Sequence, residues 1–307
     1  MKNDATQLRL EAEKKRKKFI YRNAMWGYLF ILPAFIFFAV FSFTPLILAF
    51  VRSFREYSSG LFVGFDNFKF ILLTPTFTKS IGNVLLLSAL VVVLQTVFSF
   101  LMAHLIIRLP KRLGSVVKIA IYIPCMMSGV ITSVIFNLFL RYNRGFLDSL
   151  MIHFNMDPIY FAQDGFWPFV SIIVPTLWLG FGYNTILMLS GRLNVPKEYY
   201  EAAKIDGAGF FRSVFSITIP SMRNYFILML VNLITANLQM LEIPMFITGG
   251  GPNESTITPC MYLFQSFNDV MRDRNITIAG SFLVMLPIVL LNLIAFTCIR
   301  SRRSEDA

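Results

Sequence analysis

Residues 84–94 read Val-Leu-Leu-Leu-Ser-Ala-Leu-Val-Val-Val-Leu, an apolar run without a wide polar face. The run lies inside an apolar stretch over about residues 81–107, which exceeds the roughly 20 residues that a helix needs to cross a bilayer. A helix of a soluble bundle would carry a polar stripe at helical period, and the strands of a β-barrel would be short and alternate in polarity. The stretch therefore predicts a lipid-facing transmembrane helix.

Five further stretches share this character, and they cover about residues 24–51, 116–140, 166–190, 225–247 and 276–299. Charged side chains are nearly absent from them, with Glu242 as the clear exception. The chain of 307 residues is 56% hydrophobic and 15% charged, whereas a soluble domain carries about 25% charged residues. We expect an all-α polytopic membrane protein with six transmembrane helices. The first stretch is too long for the core of a cleavable signal peptide, about 7–15 residues, and is expected to be retained.

The positive charges predict the orientation of these helices. The net charge is +11, and a cluster of Lys and Arg over residues 14–22 directly precedes the first apolar stretch. Membrane topology and anionic lipid headgroups explain such a cluster better than nucleic-acid binding does. With the N-terminus in the cytoplasm, twenty of the 28 Lys and Arg residues fall on the cytoplasmic side and eight on the other. Both termini are therefore predicted to be cytoplasmic, in a multi-pass protein of the cell membrane.

The predicted organisation has four parts. Residues 1–23 form a basic cytoplasmic N-tail, residues 24–80 the first transmembrane helix with an outer loop, residues 81–299 the transmembrane core and residues 300–307 a cytoplasmic C-tail. Patterns for catalysis or metal binding are absent from the sequence. The three cysteines stand far apart without a CxxC pair, the two histidines cannot form HExxH, and the only Gly-Gly-Gly run is followed by Pro-Asn instead of Lys-Ser. We expect no catalysis, no metal and no cofactor in this chain alone.

The predicted cytoplasmic loop over residues 191–224 has the composition of a structured element. It contains Glu-Tyr-Tyr-Glu-Ala-Ala-Lys-Ile-Asp-Gly-Ala-Gly over residues 198–209. Proline and acidic residues suit the first turns of a helix, and paired alanines favour helix and let another surface approach closely. Gly207 and Gly209 permit a sharp turn where a Cβ would clash. The loop therefore predicts a helix–turn–helix that docks a soluble partner.

The same stretch resembles the EAA motif of bacterial ABC importer permeases, in which Glu-Ala-Ala is followed three residues later by Gly and after nine more by Ile-x-Leu-Pro. The chain matches this motif at Glu201, Ala202, Ala203, Gly207, Ile217 and Pro220, with Ile219 in place of the usual Leu. Three other segments resemble the carbohydrate-uptake branch typified by the maltose and glycerol-phosphate permeases: Leu32-Pro33 with Pro45, residues 62–68, and residues 248–252 with Ser255-Thr256. The likeness covers nearly the whole chain beyond residue 24.

The resemblance implies a type I ABC importer permease that takes up a carbohydrate. It implies a second, related permease, two cytoplasmic ATPase subunits that hold ATP and Mg, and an extracytoplasmic solute-binding protein; no nucleic acid is expected. In that family the EAA helix sits in a cleft of the ATPase and moves when the ATPase dimer closes on ATP. The residues implied in this coupling are Glu201, Ala202, Ala203, Asp206, Gly207 and Gly209.

Polar side chains within the fifth apolar stretch predict a substrate pathway. Asn232, Thr235, Gln239 and Glu242 are spaced by three, four and three residues, so they share one face of a continuous helix, and Asn237 points away from it. Amides and carboxylates bond to sugar hydroxyls, and aromatic rings cover the apolar face of a sugar. Weaker candidates are Trp178, Asn184, Ser281 and Asn292.

Three alternatives to these interpretations need to be considered. The polar side chains of the fifth stretch could instead join this chain to a partner permease. An autonomous secondary transporter or channel for a small polar solute would not need the docking loop, and would more often show inverted repeats or paired charges within the membrane. A membrane-embedded enzyme would need converging acids or metal ligands, and Glu242 stands nearly alone.

Overall fold

The computed structural model describes residues 27–142, 145–161, 166–269 and 273–303, and for residues 298–303 only the backbone path. The predicted N-tail and residues 304–307 of the predicted C-tail lie outside the described residues. The described residues are 80% helical and contain no β-strand beyond an isolated bridge between Arg55 and Phe62. The prediction of an all-α protein is confirmed.

The helices in chain order are α1 (Gly27–Ser53), α2 (Asp66–Leu73), α3 (Pro75–Arg108), α4 (Lys111–Met126), α5 (Gly129–Leu140), α6 (Phe146–His153), α7 (Trp167–Leu193), α8 (Lys197–Ile205), α9 (Phe210–Ser221), α10 (Arg223–Leu238), α11 (Glu242–Ile247), α12 (Pro259–Asn268) and α13 (Arg274–Arg303). Among the described residues, α1, α3, α7 and α13 are each long and apolar enough to cross a membrane. The pairs α4–α5 and α9–α10 also qualify if each bent pair is one span, which brings the count to six. Six spans therefore stay a prediction.

The predicted third span, residues 116–140, is not one continuous helix. α4 ends at Met126, α5 begins at Gly129, and the two helices are bent by 99°. Ser128 starts the new helix as its N-cap, because its hydroxyl accepts a hydrogen bond from the N–H of Ile131 at 3.3 Å. The predicted span over residues 116–140 therefore consists of two helices, and the cap at Ser128 marks the start of the second.

The predicted fifth span, residues 225–247, is interrupted as well. α10 ends at Leu238 and α11 begins only at Glu242. Pro244 explains the break, because a proline ring clashes with the carbonyl group four residues earlier, here that of Met240. The break, over residues 239–241, lies before the proline.

The start of α12 supplies the hydrogen bonds that this break removes. The hydroxyl of Thr258 donates to the carbonyl oxygen of Met240 at 2.6 Å, and the thiol of Cys260 points at that of Leu238 at 3.8 Å. Non-helical backbone at membrane depth persists only where protein or a water-filled cavity surrounds it. The break is therefore stabilised by tertiary contacts with α12.

α3 and α7 pack against each other as the centre of the bundle, and α10 packs against both. At one end, Ala103, Met188 and Met222 share a buried apolar cluster with the start of α10. At the other end, Phe77 packs with Met261 where α3, α12 and α13 meet. The loop from α8 to α9 thus lies at the first end, opposite the place where α13 begins.

α1 lies outermost in the bundle. No residue in its most apolar window is buried within the chain, and it packs on α13 near its C-terminal end, where the rings of Phe50 and Phe282 are 5.4 Å apart. The side-chain amide of Asn67 ties α2 to the end of α1 by donating to the carbonyl oxygens of Ser53 and Arg55, each at 2.9 Å. Most of α1 is therefore left for lipid or another protein to cover.

Candidate functional site

The loop between α7 and α10 forms the predicted helix–turn–helix. α8 ends in a left-handed glycine, Gly207, with φ of +73°. The N–H of Ala208 donates to the carbonyl of Ala203 at 2.9 Å, and the N–H of Gly207 donates to that of Lys204 at 3.2 Å. This pair of hydrogen bonds is the Schellman motif that ends many helices. Gly209 then leads into α9 in an extended conformation, with φ of −70° and ψ of 175°.

The outward surface of this loop is unusually apolar for its position. α8 has no buried residue, and the side chains of Ile205 and Phe211 are 87% and 74% exposed. A Cβ added at Gly207 or at Gly209 would meet nothing within 4 Å. The glycines thus face open space rather than neighbouring side chains. Large apolar side chains exposed on a loop of this kind are suited to contact with another protein.

Two contacts tie the loop to the ends of α3 and α7, and a third joins α8 to α9 within the loop. The guanidinium carbon of Arg192 lies 4.1 Å from the ring centre of Tyr200, and that of Arg108 lies 4.8 Å from the ring centre of Phe210. The hydroxyls of Tyr200 and Thr218 are 2.9 Å apart and hydrogen-bonded. Displacement of the loop would therefore displace these helix ends as well.

A cavity of about 550 Å³ opens between α3, α7, α10 and the break before α11, and we call it the central cavity. Much of its wall is apolar, with Val91, Leu233 and Ile243 among the lining residues. Its polar lining consists of Gln95, Thr176, Tyr183, Asn184, Asn232, Asn237, Gln239 and Glu242. Five of these side chains are amides and one is a carboxylate, so the cavity offers both hydrogen-bond donors and acceptors to a polar solute.

Two buried side chains beside the central cavity have amide oxygens without a hydrogen-bond partner in the described chain. Gln95 is 1% and Asn184 3% exposed. The amide nitrogen of Gln95 donates to the hydroxyl of Ser99 at 3.1 Å, and that of Asn184 donates to the carbonyl oxygen of Gly180 at 2.8 Å. Their amide oxygens have no hydrogen-bond partner among the described residues. An unsatisfied buried acceptor costs about 1–3 kcal/mol, and because both oxygens are buried, a donor of a ligand would reach them only if neighbouring side chains moved.

The carboxylate of Glu242 occupies a space that Gly129 leaves free. A Cβ added at Gly129 would overlap Oε2 of Glu242 and would lie 3.1 Å from its Cδ. Gly129 is the first residue of α5, so the carboxylate lies at the N-terminal end of that helix, where the helix dipole favours negative charge. The bend between α4 and α5 thereby positions the acid beside the cavity.

Several of the predicted pathway residues line the central cavity, but not for the expected reason. Asn232, Gln239, Glu242 and Asn184 all line it. Gln239 and Glu242 lie beyond the end of α10, so the prediction that one continuous helix presents the whole stripe is wrong. Asn237, predicted to point away, lines the cavity too, because the wall extends around the last turn of α10.

Other predicted residues lie elsewhere. Thr235 accepts a hydrogen bond from the amide of Asn292 at 3.3 Å, which joins α10 to α13. Trp178 packs edge-on against Phe136, with ring centres 5.5 Å apart, and does not line the central cavity. Ser281 lines a second cavity, of about 660 Å³, beside α12 and α13. Gln239 borders both this cavity and the central cavity.

Sequence reasoning missed Gln95, Thr176, Tyr183 and the role of Asn237. An amide in the middle of a long apolar stretch is a signal that could have found Gln95. Thr176 and Tyr183 give no comparable local signal, whereas Asn237 gave the same signal as Gln95 but was assigned to the opposite face of the helix. No group of three or more His, Cys, Asp or Glu side chains able to hold a metal occurs within the part of the chain that the structure describes.

Comparison with known proteins identifies the family. The family described as "Binding-protein-dependent transport system inner membrane component" matches residues 95–301. The chain is 29% identical over 212 residues, 68% of each chain, to the sulfoquinovosyl glycerol transport system permease protein SmoG of Agrobacterium fabrum. It is 27% identical over 290 residues to the trehalose/maltose transport system permease protein MalF of Thermococcus litoralis, covering 93% of this chain and 97% of that protein.

The fold is similar to that of a solved transporter. A chain in the crystal structure of a bacterial alginate ABC transporter, in complex with an alginate pentasaccharide-bound periplasmic protein, superimposes with a TM-score of 0.80 at 23% identity. The match covers 92% of this chain and 96% of that chain. The resemblance predicted from the EAA-like stretch is thereby confirmed. The chain belongs to the binding-protein-dependent transport system inner membrane components, the permeases of ABC importers, and is a multi-pass protein of the cell membrane.

Proposed function

We propose that this chain is the transmembrane permease subunit of an ATP-driven ABC importer that takes up a carbohydrate, either a sugar or an oligosaccharide. The central cavity carries the proposal. The exposed amides of Asn232 and Gln239 can donate to and accept from sugar hydroxyls, and the carboxylate of Glu242 can accept from them. The ring of Tyr183 can cover an apolar sugar face. The relatives named for sulfoquinovosyl glycerol and for trehalose and maltose support a carbohydrate.

The complete importer contains three other subunits and a binding protein. A second, homologous permease closes the open side of the central cavity, where Asn232, Gln239 and Glu242 are exposed in this chain. Two ABC ATPase subunits hold ATP and Mg and hydrolyse the ATP, while this chain performs no catalysis. A solute-binding protein delivers the carbohydrate from the other side of the membrane. The mostly uncovered α1 supports a partner within the membrane.

The coupling surface is the exposed face of α8 and the turn that follows it, formed by Glu201, Ala202, Ala203, Asp206, Gly207 and Gly209. When the ATPase dimer closes on ATP, it displaces this surface. α9 continues into α10 across a bend of 70°, and α10 ends at the wall of the central cavity. A displacement at the coupling surface therefore passes through α9 and α10 to the segment that holds Gln239 and Glu242, which supports alternating access.

The loop between α7 and α10, which we call the coupling loop, faces the cytoplasm in this proposal. The Lys and Arg bias favours that side, and the ends of α3 and α7 lie against the loop. The end of α1 and the start of α13 meet at the opposite end, where the amide of Asn275 donates to the carbonyl of Arg55 at 2.9 Å. If α1 and α13 both cross the membrane, the N-terminal end of α1 and the C-terminal end of α13 lie on the cytoplasmic side, together with the loop.

Uptake into proteoliposomes tests the proposal. The chain is reconstituted with its partner permease, ATPases and binding protein, and a panel of labelled monosaccharides and oligosaccharides is supplied on the side of the binding protein. We expect uptake of at least one saccharide that requires hydrolysable ATP on the other side and that stops with a non-hydrolysable analogue. Uptake that follows an ion gradient without ATP would contradict the proposal and would indicate a secondary transporter.

A further inference from the structure

A small basic cavity lies where the ends of α3 and α7 meet the coupling loop. Its volume is about 120 Å³, and the lining includes His104, Arg108, Arg192, Tyr200 and Ser213. By volume it has room for about four water molecules, at about 30 Å³ each. A phosphate group fits such a space, whereas a sugar ring with its hydroxyls does not.

The positive charges of this basic cavity have no counter-charge among the residues that the structure describes. Neither Arg108 nor Arg192 makes an ion pair or a hydrogen bond with any residue that the structure describes, and each guanidinium instead lies over an aromatic ring. The Nε atom of Arg192 is buried without a hydrogen-bond partner in the same described set. A buried charged donor left unpaired is costly, so an anion bound in the cavity would stabilise this arrangement.

His104 adds a third unpartnered group. Its Nδ1 lies 3.0 Å from the carbonyl oxygen of Phe100, so this nitrogen carries a proton and donates. Its Nε2 is buried and, within the described ranges, has no hydrogen-bond partner. On a neutral ring that carries its proton on Nδ1, Nε2 is an acceptor, so Arg108 and Arg192, and not His104, would hold an anion.

The depth of the basic cavity indicates where its anion comes from. α7 has 27 residues and ends one residue after Arg192. At 1.5 Å per residue it is about 40 Å long, which matches the thickness of a bilayer with its headgroup regions. A cation in the last turn therefore lies at the depth of lipid phosphates, and basic pockets between helices on the cytoplasmic side bind such headgroups.

We propose that the basic cavity binds a phosphate group, supplied by a phospholipid headgroup, and that this ligand joins the ends of α3 and α7 to the coupling loop. Arg108 and Arg192 hold the phosphate as charge-assisted donors. The ligand touches the same residues that tie the loop to the bundle, so its occupancy affects how firmly the loop follows the membrane helices. The proposal does not depend on what the chain transports.

Native mass spectrometry tests this site on the full-length chain with whatever subunits co-purify. The protein is released from nanodiscs that contain phosphatidylglycerol, and retained lipid is counted for the wild type, for Arg108→Gln/Arg192→Gln and for the control Lys111→Gln/Arg112→Gln. The control removes two exposed cations at the same end of the bundle that do not line the cavity. We expect the cavity variant to lose retained lipid at least tenfold and the control to keep it.

Inorganic phosphate identifies the source of the anion. If it displaces the lipid, or binds in its absence with the same dependence on the two arginines, the site takes free phosphate as well as headgroups. Equal lipid retention by the wild type and the cavity variant, with no arginine-dependent phosphate binding, would overturn the proposal. An equal loss of retained lipid in the control variant would also overturn the proposal, because lipid would then be attracted by any positive charge at this end of the bundle. If the double variant does not fold, Arg108→Gln alone serves, since that residue is exposed.

Discussion

At Gly207, in the turn after α8, an added Cβ would meet nothing within 4 Å, whereas at Gly129, beside the central cavity, it would overlap the carboxylate of Glu242. The coupling loop needs glycine for its backbone, since Gly207 has φ of +73°. The membrane bundle needs glycine for close packing. A substitution in the loop should therefore act on a partner, and one in the bundle should act on this chain itself.

The largest expected effect is at Gly182, in the bundle. A Cβ there would overlap the carbonyl oxygen of Ile121 and lie 2.7 Å from the carbonyl carbon, so α4 and α7 could not pack as they do. Gly182→Val should lower the free energy of unfolding by about 1–3 kcal/mol or prevent assembly. Thermal unfolding of the purified chain measures this.

Gly82 provides the matched control for that substitution. It also lies in a membrane-spanning helix, α3, but a Cβ there would have nothing within 4 Å. Gly82→Ala should leave the melting temperature unchanged or raise it slightly, because alanine favours helix. Equal losses at the two positions would show that packing space does not distinguish these glycines.

Gly207→Trp should give the next largest effect, on transport and not on folding. The left-handed backbone costs a non-glycine residue about 1–2 kcal/mol, which the chain tolerates, but the indole would occupy the space into which a docked ATPase must fit. We expect uptake in the assembled complex to fall at least tenfold with membrane insertion intact. Gly60→Trp is the control, since Gly60 has φ of +67° and equally open surroundings in another loop. Equal loss of uptake at Gly60 would assign the effect to backbone strain.

A smaller effect is expected in the central cavity from Glu242→Gln and Gln239→Ala. Removing one hydrogen bond to a charged group costs about 1.5–3 kcal/mol, so the half-saturating substrate concentration should rise about tenfold while the complex still assembles. Thr235→Val is the control, because Thr235 bonds to Asn292 and does not line the cavity. Loss of the complex instead would assign Gln239 and Glu242 to the permease interface.

Asn184→Leu should give the smallest change in stability. The free amide oxygen of Asn184 is unsatisfied within the described chain, and replacing such a group with an apolar one of similar shape is nearly neutral. We expect the melting temperature to stay the same or rise while uptake falls several-fold. A fall in melting temperature together with the fall in uptake would show that Asn184 stabilises the fold instead of contacting substrate. Gln95→Leu repeats the test on α3.

The features that the sequence predicted well depend on local signals. Long apolar stretches predicted the membrane helices, and the glycine at position 207 predicted the turn that ends α8. The missed features depend on contacts between distant residues. The break before α11 is stabilised by Thr258, 18 residues beyond Met240, although Pro244 was a local sign of it. The place of Asn237 in the cavity wall follows from that break, so periodicity along one continuous helix could not have revealed it.

ATP hydrolysis by the assembled complex tests the central claim most directly, namely that the α8 turn couples the ATPase to the cavity. The chain is purified with its partner permease, ATPases and binding protein, as wild type, Gly207→Trp and Glu201→Lys. We predict that liganded binding protein stimulates hydrolysis in the wild type and that either substitution abolishes the stimulation without dissociating the permeases. Full stimulation in both variants, or failure of any ATPase to associate with the wild type, would contradict the account.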